Sequence, residues 1–512
     1  MTDPAPRPLS RRSVLRGAAV LGAASAAGPL LNLATARPAF AADPVPAPDG
    51  TAGSYTIRFD QAAKQTIRGL GFEIQSDSIA SGNAGLPTAV SGVPYDLTPS
   101  ERTRFYQQML KGGRTDHGFR YCRLALGLYH RGVDASGKHL QDRYTGQTAL
   151  LADMVQQAGL EGVAAEYWSP APGWKANNSF VGAGISLASF APADLSALGD
   201  AMVADLNYLS SRGVPITMWG LQNEPHEKPT GYSSCYYTTD DYVKAFKAVA
   251  PKIKAAYPNV MIHADSWDGW QGEIGTALRE DPAAAALVDA WTFHKIGQDS
   301  DYQLRRNYTS GAGGKACFNN EFEYLSGNPF SPEFRCINTA QSIMNWMTFQ
   351  NSPTWFWLHA LKPTTNSESK GYGLGFWRPP QDTNFNPDHF PDLPVGHWTW
   401  NPENWNAVCG FLKYMPWDSV RYGVDEPLGS DGKAYKDHRI MAWRTTQGKP
   451  VLVITNRNPT ETFTYTINTQ TTGDFRGNRF GPTTNNQYIS AKTGPVLTIS
   501  VPPRSIEFWV HA

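Results

Sequence analysis

Short apolar runs alternate with helix-forming stretches through most of this 512-residue chain. The runs end in polar side chains, as buried parallel strands do, and the stretches between them show the periodicity of amphipathic helices. The runs are 67–75, 119–126, 162–167, 215–222, 260–264, 288–294, 316–319 and 354–359. The helical patterns are 100–110, 148–158, 195–211, 239–257 and 338–350.

Eight strand–helix units predict a closed parallel barrel. The competing arrangement is a doubly wound open sheet, but no glycine-rich phosphate loop opens any of the predicted helices. We therefore predict an α/β fold, with a (β/α)8 TIM barrel over residues 67–416.

The pattern changes after Trp417. The segments VLVITNRN, FTYTI, LTISV and SIEFWV alternate apolar and polar residues and are joined by turn-rich links such as GDFRGNRFGPTTNN. This alternation predicts an antiparallel β-sandwich over 417–512. The segment SYTIRFD (Ser54–Asp60) precedes the barrel, and we expect residues 42–66 to add a strand to that sandwich.

The N-terminus has the features of a targeting segment. SRRSVLR (Ser10–Arg16) precedes an apolar run over 17–33, and AFA (Ala39–Ala41) offers small residues to a peptidase. These features predict a twin-arginine signal peptide over 1–41 and a secreted protein. A membrane anchor is disfavoured, because the run is shorter than the roughly 20 apolar residues that a span needs.

Charge and aromatic content limit the classes of partner that the protein is expected to bind. The chain has 45 basic and 45 acidic residues, and removal of residues 1–41 leaves a net charge of −4. The basic residues are not clustered, so neither nucleic acid nor an anionic membrane is expected as a partner. The 16 tryptophans exceed what core packing usually needs. Their flat faces suit sugar rings, so we expect a carbohydrate partner. We also expect the protein to be a monomer.

The five cysteines fit no metal motif by their spacing. Their odd number leaves at least one thiol free or paired between chains. Cys235 and Cys336 fall in segments predicted to be loops on one face of the barrel. They are therefore the favoured disulfide pair, and no metal or cofactor is expected.

Two carboxylates stand at the ends of predicted strands. An isolated carboxylate is costly to bury, yet Glu224 follows the fourth apolar run in WGLQNEP and Glu321 follows the seventh in KACFNNEFEYL. Barrel chemistry occurs at the carboxyl ends of strands, and two facing carboxylates suit glycoside hydrolysis. Two alternatives stay open: Glu224 pairs with an arginine for structural reasons, or Glu323 replaces Glu321.

The segment Leu361–Glu403 has no clear periodicity and contains Trp377, Trp398 and Trp400. A compact domain tolerates so long a loop mainly when the loop is functional. We predict that it lines the cleft, with at least one of the three indoles stacked on a sugar.

Several motifs carry a family resemblance. LQNEP resembles the acid/base motif of clan A glycoside hydrolases, and EYWSPAPGWKANNSFVGAG (Glu166–Gly184) resembles the stretch after strand three in glycoside hydrolase family 30. That family includes glucosylceramidase and several endo-glycanases. FRYCRLALG resembles its second strand, AWTFHKIG its sixth strand, and VPPRSIEFWV its side β-sandwich.

The resemblance implies Glu224 as the acid/base, Glu321 as the nucleophile, and Arg123 as the cation that keeps Glu321 ionised. The full predicted substrate-binding set is Arg123, Trp168, Trp174, Asn223, His294, Trp355 and Trp377. Trp168 as barrel packing and His294 as a strand-end histidine satisfied by its neighbours are the alternatives.

The chain departs from the family around the pocket that selects the sugar. Ile296 stands where an aromatic residue is common, strand one carries Glu73 and Gln75, and GLYHRGVD follows strand two. The prediction is a secreted retaining glycoside hydrolase that cleaves a β-linked glycan by double displacement. A less common linkage, transfer to another sugar, and a non-catalytic carbohydrate-binding barrel are the alternatives. The sugar, the linkage and endo or exo action stay open.

Overall fold

The computed structural model describes residues 50–74, 97–112, 118–267, 273–294, 308–324, 332–364, 373–379 and 392–512, with residues 371, 382, 385 and 390. Eight parallel strands close into a barrel, which confirms the predicted fold class. Numbered one to eight in chain order, they are Gly69–Ile74, Tyr121–Leu126, Gly162–Tyr167, Ile216–Gly220, Met261–Trp267, Ala290–His294, Ala316–Phe322 and Thr354–Trp357.

Closure of the barrel depends on the pairing of strand eight with strand one. Thr354 pairs with Gly69, and the register continues to Trp357 and Phe72. Gly71 faces the Phe356 ring so closely that a Cβ there would overlap it. The first three residues of six strands contribute an apolar layer inside the barrel, formed by Tyr121, Ala164, Met218, Ala290, Phe318 and Phe356. Polar inward-facing side chains are therefore left to the carboxyl ends of the strands.

Helices surround the barrel. They are Pro99–Arg104, continued by the π-helical turn Phe105–Leu110, then Gln147–Ala158, Pro192–Ser210, Thr239–Ala256, Glu273–Glu280, Pro282–Leu287, Pro332–Phe349 and Pro402–Tyr414. The five predicted helices are confirmed. Glu273–Glu280 and Pro282–Leu287 were missed because each is only one or two turns long, too short for a clear period.

A sheet of nine strands forms the second unit. Its strands are Ala52–Ile57, Gln65–Ile67, Ser419–Tyr422, Val424–Asp425, Ile440–Arg444, Pro450–Asn456, Phe463–Gly481, Thr484–Val501 and Ser505–His511. Strand Phe463–Gly481 pairs with Ala52–Ile57 through its first half and with Ser505–His511 through its second half. This shared strand joins the two halves of the sandwich around a core that includes Tyr55, Ile454, Tyr465 and Ile499.

The participation of Ala52–Ile57 in the sandwich agrees with the sequence, whereas the exact domain boundaries stay predictions. Residues 1–49, which include the predicted signal peptide, lie outside the described residues. Within the described residues, no helix combines the length and the apolar character that a membrane crossing requires.

The predicted disulfide between Cys235 and Cys336 is wrong, because all five cysteines are free thiols. Cys336 lies in the helix Pro332–Phe349 rather than in a loop, and its side chain packs into the core. Burial raises the pKa of Cys235 to about 12. That thiol is therefore protonated and unreactive at neutral pH.

Candidate active site

The carboxyl ends of the barrel strands hold a polar cluster centred on the fully buried Arg123 of strand two. Its Nη1 donates to Glu73 Oε2 at 2.5 Å and to Glu321 Oε2 at 2.7 Å. Its Nε donates to Glu166 Oε2 at 2.7 Å, and its Nη2 to Asn223 Oδ1 at 2.7 Å. Strands one, two, three and seven and the turn after strand four therefore meet at one guanidinium.

A local irregularity aims Glu321 at this cluster. Phe318 faces the barrel interior, so regular alternation would turn Asn320 inward and Glu321 outward. The pairing of strand seven shifts between Asn319 and Phe322 on one side, and the Asn319 Oδ1 atom accepts the Glu321 N–H at 2.8 Å. A β-bulge re-aims a side chain in this way, and both Asn320 and Glu321 face inward.

Three carboxylates share one guanidinium in a water-excluded setting. Burial raises the pKa of Glu73 well above its ordinary value; Arg123 opposes this rise and the charge of Glu321 adds to it. Burial acts to lower the pKa of Arg123, but the carboxylates, Glu166 first, outweigh it and raise that pKa. Arg123 therefore stays cationic, and burial favours a proton on Glu73.

Trp168 covers one side of the cluster. The guanidinium carbon of Arg123 lies 4.6 Å from the centre of its ring, within the range of a cation–π contact. The side chain is fully buried. The structure therefore brings Trp168 to the predicted site, where it packs on Arg123; a contact with sugar stays a prediction.

Hydrogen bonds fix the turn that carries Glu224. Gln222 Nε2 donates to the Trp168 carbonyl at 2.8 Å, and the Asn223 N–H donates to the Tyr167 carbonyl at 2.7 Å. Glu224 has a φ of 44°, in the left-handed region that few residues other than glycine adopt. Such backbone strain persists where the surroundings enforce it, often at functional sites. The turn therefore holds the Glu224 carboxylate in one position.

His294 links the two predicted catalytic carboxylates. Its Nδ1 lies 2.9 Å from Glu224 Oε1, and its Nε2 lies 3.5 Å from Glu321 Oε2 and from Arg123 Nη2. The tautomer with hydrogen on Nδ1 satisfies these contacts, because it donates to Glu224 and accepts from Arg123. One oxygen of Glu224, one oxygen of Glu321 and one His294 nitrogen all lie within 4.8 Å of one another.

One imidazole and two carboxylates are also a donor set that a metal ion can use. Arg123 bears a permanent positive charge and donates directly to Glu321. A second cation beside it is electrostatically opposed. The expectation that the protein uses no metal stays a prediction.

The contacts distinguish Glu321 from its rival Glu323. Glu323 is buried, and its Oε2 lies 3.9 Å from His359 Nε2, on the strand that follows barrel strand eight. Glu321 instead contacts Arg123 and His294, beside Glu224. This difference favours Glu321 as the nucleophile.

The prediction that Trp355 lines the substrate site is wrong. Its Nε1 donates to Ser342 Oγ of the helix Pro332–Phe349 at 3.3 Å, and the side chain is fully buried. Phe356 faces the barrel interior, so alternation turns Trp355 toward the helices. Trp355 is thus a packing residue between the barrel and its helical layer.

Trp174 is partly exposed on the short turn after strand three. Its Nε1 donates to the Lys138 carbonyl at 2.8 Å, and Lys138 Nζ lies 4.6 Å from the centre of its ring. These contacts lie outside the Arg123 cluster, so a role of Trp174 in sugar binding stays a prediction.

The long segment Leu361–Glu403 contains strands His359–Pro363, Gly373–Trp377 and Trp398–Trp400, which form a small sheet. Trp377 is fully buried. Trp398 is also buried; its Nε1 donates to the Glu101 carbonyl at 3.0 Å, and the Arg104 guanidinium carbon lies 3.9 Å from the centre of its ring. Both indoles are buried, and the expectation that at least one of Trp377, Trp398 and Trp400 stacks on a sugar stays a prediction.

Trp400 has a different environment. It is partly exposed, and its ring centre lies 4.5 Å from that of Trp405. It lines a cavity of about 570 Å³ together with Gln108, Gly112, Pro402, Trp405, Asn406, Cys409, Pro482, Thr483 and Asn485. These residues belong to the first and last helices and to the tip of the long hairpin. The cavity therefore lies on the outer wall of the barrel, and no Arg123-cluster residue lines it.

Sequence reasoning missed the roles of Glu73 and Glu166. Both stand within apolar strands, in GLGFEI and GVAAEY, the same signal that singled out Glu224. His263 was also missed; its Nδ1 lies 3.1 Å from Thr292 Oγ1, and burial lowers its pKa to about 4, which keeps it neutral. Asn320 Nδ2 donates to Glu166 Oε2 at 3.2 Å.

Barrel and side sheet together define a (β/α)8 protein with an antiparallel β-domain. No protein-family model matches the chain, and no curated protein matches it. The catalytic domain of the GH30 xylanase C from Talaromyces cellulolyticus has a similar structure, with a TM-score of 0.66, 17% identity, and coverage of 90% of this chain and 100% of that chain.

Two further solved structures extend the comparison. The GH30 subfamily 8 xylanase from Clostridium acetobutylicum has a TM-score of 0.63 at 18% identity, with coverage of 90% and 100% of the two chains. An endo-β1,6-glucanase has a TM-score of 0.63 at 15% identity, with coverage of 90% of this chain and 94% of that chain. The resemblance drawn from the motifs is thereby confirmed at the level of the fold.

Proposed function

We propose that this protein is a retaining glycoside hydrolase that cleaves a β-linked glycan. One observation carries the proposal: oxygens of Glu224 and Glu321 lie within 4.8 Å of each other at the carboxyl ends of the barrel strands. Retaining enzymes hold their two carboxyl groups about 5–5.5 Å apart, whereas inverting enzymes need about 6.5–9.5 Å to admit a water. The xylanases and the glucanase of similar fold support an action on glycans.

In the first step, a Glu321 oxygen forms a bond to the anomeric carbon and the glycosidic C–O bond breaks. The electron pair goes to the leaving oxygen, which takes the proton of Glu224. Arg123 Nη1 orients Glu321 and keeps it ionised by its charge. The Asn223 Nδ2 group makes no hydrogen bond within the described residues and is free to donate to a sugar hydroxyl.

In the second step, Glu224 takes a proton from water, and the water oxygen attacks the anomeric carbon. The bond to Glu321 breaks, and the nucleophile returns as a carboxylate. His294 contacts Glu224 through Oε1, and we assign both proton transfers to Oε2. A sugar hydroxyl in place of the water gives transfer instead of hydrolysis, and the same residues serve both outcomes.

The direct test is turnover of the purified mature protein on a panel of plant, fungal and bacterial wall glycans. We expect release of reducing sugar from a β-linked glycan, with the β-anomer appearing first by NMR. A first-formed α-anomer would contradict retention. A protein that binds glycans with unchanged affinity after Glu321→Gln, yet releases no sugar from any glycan, would be a non-catalytic barrel.

Export by the twin-arginine route is part of the proposal and is tested separately. Replacement of Arg11 and Arg12 by lysine is expected to retain the protein inside the cell, because the route reads the arginine pair. Immunoblots of cell and medium fractions measure the effect, and Arg7→Lys, outside the pair, is the matched control. Secretion of the double variant at the wild-type level would show that the twin-arginine assignment is wrong.

Trp400 offers the exposed indole that the long segment was expected to supply. If glycan chains bind the outer cavity, Trp400→Ala is expected to weaken binding of polymeric substrate about fivefold, since an aromatic contact contributes ~1 kcal/mol. Hydrolysis of a small aryl glycoside should keep its KM. Tyr488→Ala, which removes another exposed aromatic side chain, is the control. Equal polymer affinity of the Trp400 and Tyr488 variants would assign Trp400 a structural role.

A further inference from the structure

The charge count around Arg123 is unbalanced. Glu73, Glu166 and Glu321 all contact its guanidinium, and all three side chains are at most 1% exposed. Three ionised carboxylates against one cation would leave two uncompensated negative charges in a site shielded from bulk solvent. Like charges at such a distance cannot all be ionised at low cost, so one carboxyl group takes a proton.

Hydrogen bonds indicate which carboxyl group that is. Glu166 Oε2 receives Arg123 Nε and the Asn320 amide. Glu321 Oε2 receives Arg123 Nη1; His294 Nε2, an acceptor in the assigned tautomer, does not donate to it. Glu73 Oε2 receives only Arg123 Nη1, the donor that it shares with Glu321. Its Oε1 is buried without a hydrogen-bond partner in the described part of the chain, so Glu73 has fewer donors than Glu166. Between Glu73 and Glu321, the proposed nucleophilic role requires the charge to stay on Glu321.

We propose that Glu73 holds a proton in the resting enzyme and acts as a positioning residue for Glu321. As a neutral acid it accepts one hydrogen bond from Arg123 and leaves the guanidinium charge to Glu166 and Glu321. A third negative charge at Glu73 would instead favour a proton on Glu321, and a protonated Glu321 cannot attack the anomeric carbon. The inference rests on the proposed function only through the role of Glu321.

Among the residues that the structure describes, no other titratable group that acts on Glu73 supplies a compensating charge. Cys122 lies on the neighbouring strand, and burial first, then the charge of Glu73, raises the pKa of its thiol, so it stays neutral. Arg123, Glu166 and Glu321 are the charged groups that act on Glu73. Burial is the largest single influence on the pKa of Glu73 and raises it; Arg123 opposes this rise, and the charges of Glu321 and Glu166 add to it.

The first test needs no substrate. Because the folded protein holds the Glu73 proton more tightly than the unfolded chain, wild-type stability falls as pH rises from the unfolded pKa of about 4.3 toward the folded pKa. Glu73→Gln cannot lose that proton, so its Tm relative to wild type is expected to rise steadily with pH above about 4.3. Infrared difference spectra of wild type against this variant should show loss of one protonated-carboxyl band.

Glu166→Gln is the matched control, because Glu166 is assigned as ionised. Its spectra should lose a carboxylate band and no protonated-carboxyl band. Because Glu166 acts on Glu73 only through its charge, any rise with pH in the Tm of this variant relative to wild type should be smaller than that of Glu73→Gln. The proposal is overturned if Glu73→Gln loses a carboxylate band, or if its Tm difference from wild type is the same at every pH.

A kinetic arm tests the effect on Glu321. The rate of glycosyl–enzyme formation from an activated aryl glycoside falls at low pH as Glu321 takes a proton. Glu166→Gln removes a negative charge, so the pH at which this rate falls should be about one unit lower than in wild type. Glu73→Gln removes no negative charge, so the pH at which the rate falls should be the same as in wild type. An equal shift in both variants would overturn the proposal. If no aryl glycoside is a substrate, the proposed function fails while the spectra and the Tm series still decide the protonation of Glu73.

Discussion

Glu321→Gly is expected to abolish hydrolysis, with a loss of kcat on the order of 10⁵-fold or more, as for removal of a nucleophile. Azide should restore turnover and give the α-azide from a β-linked substrate. The reason is geometric: the truncation opens a space beside Arg123 Nη1, which bonds Glu321 in the intact protein. An azide anion in that space is held by the guanidinium charge and attacks the face of the sugar that Glu321 would attack.

Glu323→Gln is the control for this experiment, because Glu323 is an equally buried carboxylate two residues away that pairs with His359. It should keep substantial activity on the same substrate. The anomeric configuration of the azide product, measured by NMR, and the kcat values of both variants show which of Glu321 and Glu323 is the nucleophile. An inactive Glu323→Gln beside an active Glu321→Gln would reverse the assignment, and a β-azide from Glu321→Gly would contradict a direct displacement at that position.

The barrel could be predicted because each strand carries its own signal. Runs such as Gly162–Tyr167 are buried throughout and, apart from Glu166, lack charged residues, as is typical of a strand covered on both sides. The helix Pro402–Tyr414 escaped notice although Trp405, Val408, Phe411 and Leu412 are buried on one face, because it directly follows a segment without periodicity. Local patterns therefore identified the elements and left their limits uncertain.

The two carboxylates of the proposed catalytic pair could be located from the same local signals, whereas the network around them could not. Glu224 and Glu321 each end an apolar run. The contacts of Arg123 with Glu73 and Glu166 depend on which strands are neighbours and on their register. The inward turn of Glu321 depends on a β-bulge in strand seven, and no pattern of residues in the sequence predicts that bulge.

The tryptophans show why composition is a weak guide to a binding surface. Trp355 and Phe356 are adjacent aromatic residues of one strand, yet one faces the helices and the other the barrel interior. Trp398 and Trp400 are two residues apart and share one side of their strand, yet only Trp400 is partly exposed. The side of the strand and the elements packed against it together decide the role of each aromatic side chain.

Glu224→Ala is expected to divide substrates by their leaving groups. Hydrolysis of ordinary glycosides should fall by about 10²–10⁴-fold, the usual contribution of general acid–base catalysis. A dinitrophenyl glycoside needs no proton donor, so it should still form the glycosyl–enzyme, which then accumulates because no base activates water. Mass spectrometry of the intact protein should detect the added sugar on Glu321.

Azide should release that intermediate as the β-azide, since it attacks the face opposite to Glu321, where Glu224 stood beside His294. Glu227→Ala is the matched control, because it removes a carboxylate from the same turn, where the Glu227 N–H donates to the Glu224 carbonyl. The rates of this variant should depend on the leaving group no more steeply than the rates of wild type do. Equal losses on good and poor leaving groups in Glu224→Ala would mean that Glu224 positions the sugar rather than transfers a proton. An α-azide from the same variant would place the nucleophile elsewhere, because azide can reach that product only when no glycosyl–Glu321 ester has formed.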